Sequence, residues 1–223
     1  MKNVLRWFFI NTIILLCSCA APEVQVPTYE DMDVGEAFSM KEHISAIEAE
    51  FSITFYRDDS KRSGDGILTI SKDGALNLRV YSLGFLAFEL TSQGGIIKSV
   101  PVLDRTKREI LTYGLRDCLF WWDIRDYEID EQEDMYLIRS YPRKLWVDRK
   151  TMLPVQQSVQ LEDDRELWFY YEEPQKMGDV WYPSKIRIEL SRYSLTLEFD
   201  EMLFVTENPT VLPPSESAEA KRI

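Results

Sequence analysis

The sequence predicts an α+β fold: a strongly curved antiparallel sheet of about eleven strands with helices packed in its concave mouth. Three observations carry this. Runs of alternating hydrophobicity follow one another from Ile47 to Val205, and the turn signals between them are too closely spaced for parallel crossovers, which need about a dozen residues. Such runs number eleven or twelve, too many for a flat sheet to stay open without curling. Two stretches repeat at helical spacing instead, and a curled sheet gives them a concave face to pack against.

The chain opens with Lys2 and Arg6 flanking the start of an apolar run, Trp7 to Leu16. That run is too short for a hydrocarbon core of about 30 Å and fits the apolar region of an export signal. Leu16-Cys17-Ser18-Cys19 is similar to the bacterial lipobox, since a small residue belongs just before the cut and Ser18 precedes Cys19. The likeness implies a signal peptide over 1–18, cleavage before Cys19, and acylation of Cys19. Several acyl chains on one residue exceed the two signals that stable anchoring requires. Ala20 follows, as in Gram-negative lipoproteins that are not retained at the inner membrane; in a diderm host this implies a lipid-anchored protein on the periplasmic face of the outer membrane.

Removal of 1–18 takes away Lys2 and Arg6 and no acid, so the net charge of −12 becomes −14, with 38 acids facing 24 bases. Such a surface repels phosphate backbones and argues against nucleic acid as a partner. Cys118 is then the one cysteine left in the body, so no disulfide staples it and stability has to come from burial.

Residues 19–33 carry Pro22, Pro27 and four acids without a sustained apolar period, and read as a flexible tether. The body is expected over 34–207. A disordered tail is expected over 208–223, where Pro213-Pro214 precedes "SESAEA". In the body, Ser39-Met40-Lys41-Glu42 has the capping-box pattern and predicts a short helix with Ile44 and Ile47 on its apolar edge. From Ile47 a strand runs with Phe51, Ile53 and Phe55 on one face. "RDDSKRSGDG", Lys72-Asp73-Gly74, Leu83-Gly84 and Gln93-Gly94-Gly95 then read as turns between further strands. After Pro101, a helical stripe on either side of Gly114 takes in Ile110, Leu111, Leu115, Cys118, Leu119 and Trp122. Strands resume from "DYEID" and continue to "SLTLEFDEMLFV".

Residues for catalysis are scarce. The single histidine, His43, falls in the charged part of the first predicted helix, which leaves neither a triad nor a zinc site. Asp31-Met32-Asp33-Val34-Gly35 resembles the start of a calcium loop, but its glycine comes one position early and the later ligands are missing, so it reads as tether. Asp163-Asp164 and Glu172-Glu173 read as solvated turn residues, and Cys118 as core packing. No glycine-rich phosphate loop joins a strand to a helix. The expectation is a protein that is not an enzyme and takes no metal or cofactor.

The apolar surplus is informative. "FLAFEL", "LWFYY" and "LFWW" exceed what a sheet with one wet face requires. The excess fits either an ordinary core beneath the helices or a cavity for acyl chains in the concave sheet. The candidate cavity residues are Phe51, Ile53, Phe55, Leu76, Leu78, Phe88 and Trp168 on strands, with Leu119 and Trp122 as a helical plug.

The order of the pieces resembles a known family. "GDGILTISKDGALNLRVYSLGFLAFELTSQGGIIKSV" is similar to the central region of LolB, the outer-membrane lipoprotein receptor, and its LolA-like relatives. "GLRDCLFWWDIRDYEID" looks like the family's helix and returning strand, and "LWVDRKTMLPVQQSVQLEDDRELWFYY" with "VWYPSKIRIEL" looks like its hairpins. The likeness covers about Ile44 to Val205. It implies an incomplete β-barrel with helices in its mouth, a cavity for the acyl chains of lipoproteins or lipids, and a LolA-like periplasmic carrier as partner. It also implies that Leu83, in "VYSLGF", protrudes from a turn and assists delivery into the membrane. The rival expectations are an envelope-assembly or scaffold lipoprotein with a filled core, and a hydrolase, against which the lack of a nucleophile and base argues.

Overall fold

A computed structural model of the chain describes residues 26–29 and 32–206. The expected signal peptide, Cys19 and the expected tail lie outside the described residues. Helix α1 spans Val34–Ser39. Five strands follow, β1 (Ile44–Arg57), β2 (Ser60–Ser71), β3 (Leu76–Ser82), β4 (Phe85–Gln93) and β5 (Ile96–Val100). A helical run then comprises α2 (Arg105–Glu109), a π-helical turn (Ile110–Gly114) and α3 (Leu115–Leu119). The remaining strands are β6 (Glu128–Glu131), β7 (Met135–Ser140), β8 (Arg143–Asp148), β9 (Pro154–Gln160), β10 (Glu166–Met177), β11 (Val180–Leu190) and β12 (Tyr193–Thr206).

All twelve strands belong to one antiparallel sheet ordered β5-β4-β3-β2-β1-β12-β11-β10-β9-β8-β7-β6. The sheet is open. Its free edges are β5 and β6, the two strands that the helical run connects, so every other link between strands is a hairpin and this one passes from edge to edge. The first and last strands, β1 and β12, pair at the centre. The sheet curves: Asp123, after α3, lies 3.6 Å from the Lys72 ammonium beyond β2, and its carbonyl accepts from Arg143 of β8 at 3.0 Å. β2 and β8 are six positions apart in the sheet, about 29 Å on a flat one.

One face of the sheet carries the core. Cross-strand rows run from Phe169 to Ile188 to Leu195 to Phe55, and from Leu90 to Leu78 to Leu68 to Ala49. Ile110, Leu115, Cys118, Leu119 and Trp122 of the helical segment are buried in the same cluster. A Cβ on Gly114 would lie 3.6 Å from Leu167 and 3.7 Å from Ile188, so the π-helical turn rests directly on β10 and β11. On β2, Gly66 leaves the space that the Phe51 ring fills; a Cβ there would come within 2.4 Å of that ring. Phe51 in turn packs on Phe199 at 5.6 Å.

The first helix differs from the expectation. It ends at Ser39 instead of starting there, and its N-cap is Asp33, whose carboxylate accepts the Glu36 N–H at 2.9 Å. Ile44 and Ile47 both belong to β1, where a register shift between Ile44 and Ala46 turns both inward. That bulge imitates helical spacing. Within the stretch read as tether, Tyr29 donates its N–H to the Lys150 carbonyl at 2.7 Å, and Tyr29 and Met32 pack against the core. "RDDSKRSGDG" is not one long turn: the hairpin turns on Asp58-Asp59, and β2 begins at Ser60. Glu172 and Glu173 lie inside β10, where both approach Lys185, at 3.8 and 3.3 Å.

Candidate functional site

Side chains on the inner face of β1, β2, β3 and β4 close up toward the centre and part at one end. Phe51, Leu76, Leu78, Leu119 and Trp122 are all at most 5% exposed and belong to the packed core. Beyond them, where β1 and β2 run out to their turn, a cavity of about 380 Å³ opens. Ile53 and Phe55 of β1, Val80 of β3, Phe88 of β4, Leu111 of the helical run and Leu195 of β12 form its apolar wall. Of the nine residues expected to bind lipid, Ile53, Phe55 and Phe88 line this cavity and the five named above fill the core.

Trp168 does neither. On β10 the buried residues are Leu167, Phe169 and Tyr171, so Trp168 points from the opposite face, where it stacks on Trp146 at 6.0 Å. The run "LWFYY" is apolar on both faces, and a choice one residue out reverses the assignment.

The cavity's rim is polar and basic. Arg57, Arg62 and Lys107 line it, with Ser60, Ser63 and Ser82. Arg62 faces inward because it stands directly opposite Phe55 in the β1–β2 ladder. Lys107 lies 5.9 Å from the Phe55 ring centroid and pairs with Asp104 at 3.0 Å. Burial works against ionisation of Asp104, but the Lys107 amide and ammonium hold its carboxyl below the usual carboxylate range. Reading "SKRSG" as turn hid this rim. The equal length that a hairpin imposes on its two strands is the signal that places Arg62 beside Phe55.

Next to the cavity stands an apolar tip. Ser82 and Ala87 line the cavity, and between them the β3–β4 turn exposes Leu83 at 95%, Phe85 at 78% and Leu86 at 53%. Leu83 and Gly84 take φ of 52° and 80°, two successive left-handed residues of the kind that close a tight hairpin. Glycine does so freely and leucine does not.

Away from the cavity, a buried polar network pins the end of α3. The Arg143 guanidinium donates to the carbonyls of Asp123, Asp117 and Trp121 at 3.0 to 3.3 Å and to Gln157 Oε1 at 3.2 Å. Gln157 donates to the Asp117 carbonyl and accepts from Tyr171. These carbonyls include ones that a helix end leaves unpaired, and a cation there also suits the helix dipole. Burial pushes the neighbouring Cys118 thiol up, and its Sγ donates to the Leu115 carbonyl. His43 is exposed in the turn before β1. Among the described residues no group of three or more His, Cys, Asp or Glu is placed to hold a metal ion, and no helix is long and apolar enough to cross a membrane.

No family model and no curated protein matches this sequence. Solved structures do match the architecture. A LolA superfamily protein from Nitrosomonas europaea superposes with a TM-score of 0.50 at 10% identity, over 80% of this chain and 96% of its own. The fold is LolA/LolB-like. A putative outer membrane lipoprotein-sorting protein domain from Vibrio parahaemolyticus shares it at TM-score 0.50 and 11% identity, over 77% of this chain and 90% of its own. A DUF1329 family protein from Desulfovibrio piger does so at 0.51 and 11%, with the same coverage. The LolA/LolB-like fold is thus common to chains of very different sequence, and the likeness concerns the architecture of this one alone.

Proposed function

We propose that this chain is a non-catalytic envelope lipoprotein that takes up an acyl chain of a lipoprotein or lipid and helps to place it in the outer membrane. The observation that carries this reading is an apolar cavity of about 380 Å³ beside an exposed hydrophobic hairpin tip. The helical run 105–119 covers the concave mouth of the sheet, and Leu111 closes one side of the cavity. Desolvation of the chain drives binding at about 25 cal/mol per Å² of apolar surface buried. Leu83, with Phe85 and Leu86, enters the acyl region of a membrane and gives the cargo a continuous apolar path out of the cavity. Acylated Cys19 holds the protein to the outer membrane from the periplasmic side, and a LolA-like carrier delivers to it.

The test is uptake. Among the described residues the core runs from Tyr29 to Phe204, all of it retained in a chain lacking residues 1–19. That chain should bind a fluorescent fatty-acyl probe or an acylated peptide saturably, one equivalent per chain. Introducing Trp at Ala87, which lines the cavity, should weaken binding, whereas Trp168→Leu should leave it unchanged.

The packed remainder of the inner face favours a second reading, a scaffold for envelope assembly that uses the same fold with a mostly filled interior. It predicts no saturable uptake and a protein partner recoverable by crosslinking in the envelope.

A further inference from the structure

We infer that the cavity beside the hairpin tip selects an acyl chain ending in an anion, a carboxylate or a phosphate monoester, with Arg62 as its principal anchor and Arg57 and Lys107 beside it. The inference rests on the chain-binding reading and names the class of ligand.

The chain holds 38 acidic residues and 26 basic ones, yet the cavity lining contains three cations and no carboxylate. The imbalance is local and runs against the composition. Two of the cations are partly satisfied: Arg57 pairs with Asp58 at 3.8 Å, and Lys107 with Asp104 at 3.0 Å. Among the described residues Arg62 forms no ion pair, and the ladder places it on the same face as Phe55, at the junction of rim and apolar wall. A guanidinium there can bind a carboxylate or phosphate through two parallel hydrogen bonds. Ser60, Ser63 and Ser82 supply neutral donors around it.

Size limits the other end of the ligand. A volume of about 380 Å³ holds about a dozen groups of the size of a water molecule. That is room for a medium acyl chain. The ligand this describes carries its charge at one end of such a chain.

The experiment compares matched pairs of ligands on the chain lacking residues 1–19. Myristate is set against methyl myristate, and monoacyl phosphatidate against monoacylglycerol. The acid of at least one pair should bind about tenfold tighter than its neutral partner, the scale of one hydrogen bond to a charged group. The pair with the larger ratio identifies the head as carboxylate or phosphate. Arg62→Gln should remove most of that preference, read as the ratio of acid to neutral affinity, and Arg62→Lys should restore part of it. Arg62 is exposed, so neither change disturbs the core; matching thermal melts of the variants check this.

Equal binding of acid and neutral partner in both pairs overturns the inference and leaves chain binding standing. So does a preference that survives Arg62→Gln. Inorganic phosphate competing as well as the phosphatidate also overturns it, because the site would then serve free phosphate. Failure of all four lipids to bind sinks the chain-binding reading itself, and the inference with it.

Discussion

Leu83 holds a left-handed backbone conformation at the most exposed apolar position of its hairpin, with φ 52°. For a residue with a branched side chain this costs about 1–2 kcal/mol, and asparagine or glycine would avoid most of it. A leucine there opposes stability, which motivates the proposed role at a membrane. Leu83→Asn should therefore raise the melting temperature, while Leu83→Glu should leave uptake of an acyl probe unchanged. Both should slow transfer of the probe to liposomes. Transfer at the parental rate by both variants would reduce Leu83 to an ordinary turn residue. The sequence marked this position well, since Gly84 beside a leucine between two alternating runs signals a tight turn. It marked Arg62 badly, because serine, lysine and glycine around it have turn-like composition, whereas the β1–β2 ladder needs them as strand.

At the scale of elements, the helical run depends on two contrasting contacts. Gly114 rests on Leu167 and Ile188 with room for a methyl group at ordinary van der Waals distance. Gly114→Ala should thus stabilise the fold by about 1 kcal/mol through helix propensity, read as a shift of the urea midpoint. Loss of stability would mean that the π-helical turn needs the freedom of glycine. Arg143 is the opposite case: Arg143→Met would leave the Trp121 and Asp123 carbonyls without their buried donor, Gln157 still serving Asp117, and should cost about 3–5 kcal/mol in urea unfolding. The helical stripe around Gly114 was legible from its spacing. The Arg143 and Gln157 network was not, because its acceptors are main-chain carbonyls between 20 and 40 residues away. The bulge at the start of β1 misled for a related reason: one extra residue puts Ile44 and Ile47 on the same face and reads as a helix.

For the whole molecule, packing α1 against the sheet and α3 has a cost that varies with pH. Burial lowers the Lys41 ammonium to about 8 from 10.5. It sits 5.3 Å from the Trp121 ring centroid, with one 3.4 Å hydrogen bond to the Ala37 carbonyl. Below about pH 8 folded and unfolded chains both carry this proton, and the penalty for burying the charge is felt in full. Between about 8 and 10.5 the unfolded chain keeps the proton and the folded chain has lost it, so this group makes the fold more stable as pH rises. Lys41→Met should be more stable than the parent at pH 7, with the gap closing through that window in paired urea titrations. A constant gap would remove Lys41 as the cause. The architecture itself was readable from alternation and turn spacing, which set strand number within one and the antiparallel meander. The extent of filling was not, since cavity and core draw on the same residue types and differ only in how neighbouring side chains meet.

The central strands also bear on where the proposed lipid on Cys19 would take this body. The polypeptide comes into β1 and leaves β12 at one extremity, and the Leu83 hairpin projects near the other, with strands of up to 14 residues, about 43 Å, running between. Tyr29 is fastened at the first extremity, beside α1 and the β10–β11 turn, so the leash from Cys19 spans at most about 36 Å. Standing upright, the molecule would bring its hairpin to the anchoring bilayer only with that leash drawn nearly straight alongside the strands. Tipped onto its flank it would make the same contact within that reach, so the proposed anchor and the proposed delivery to one bilayer together call for a reclining posture.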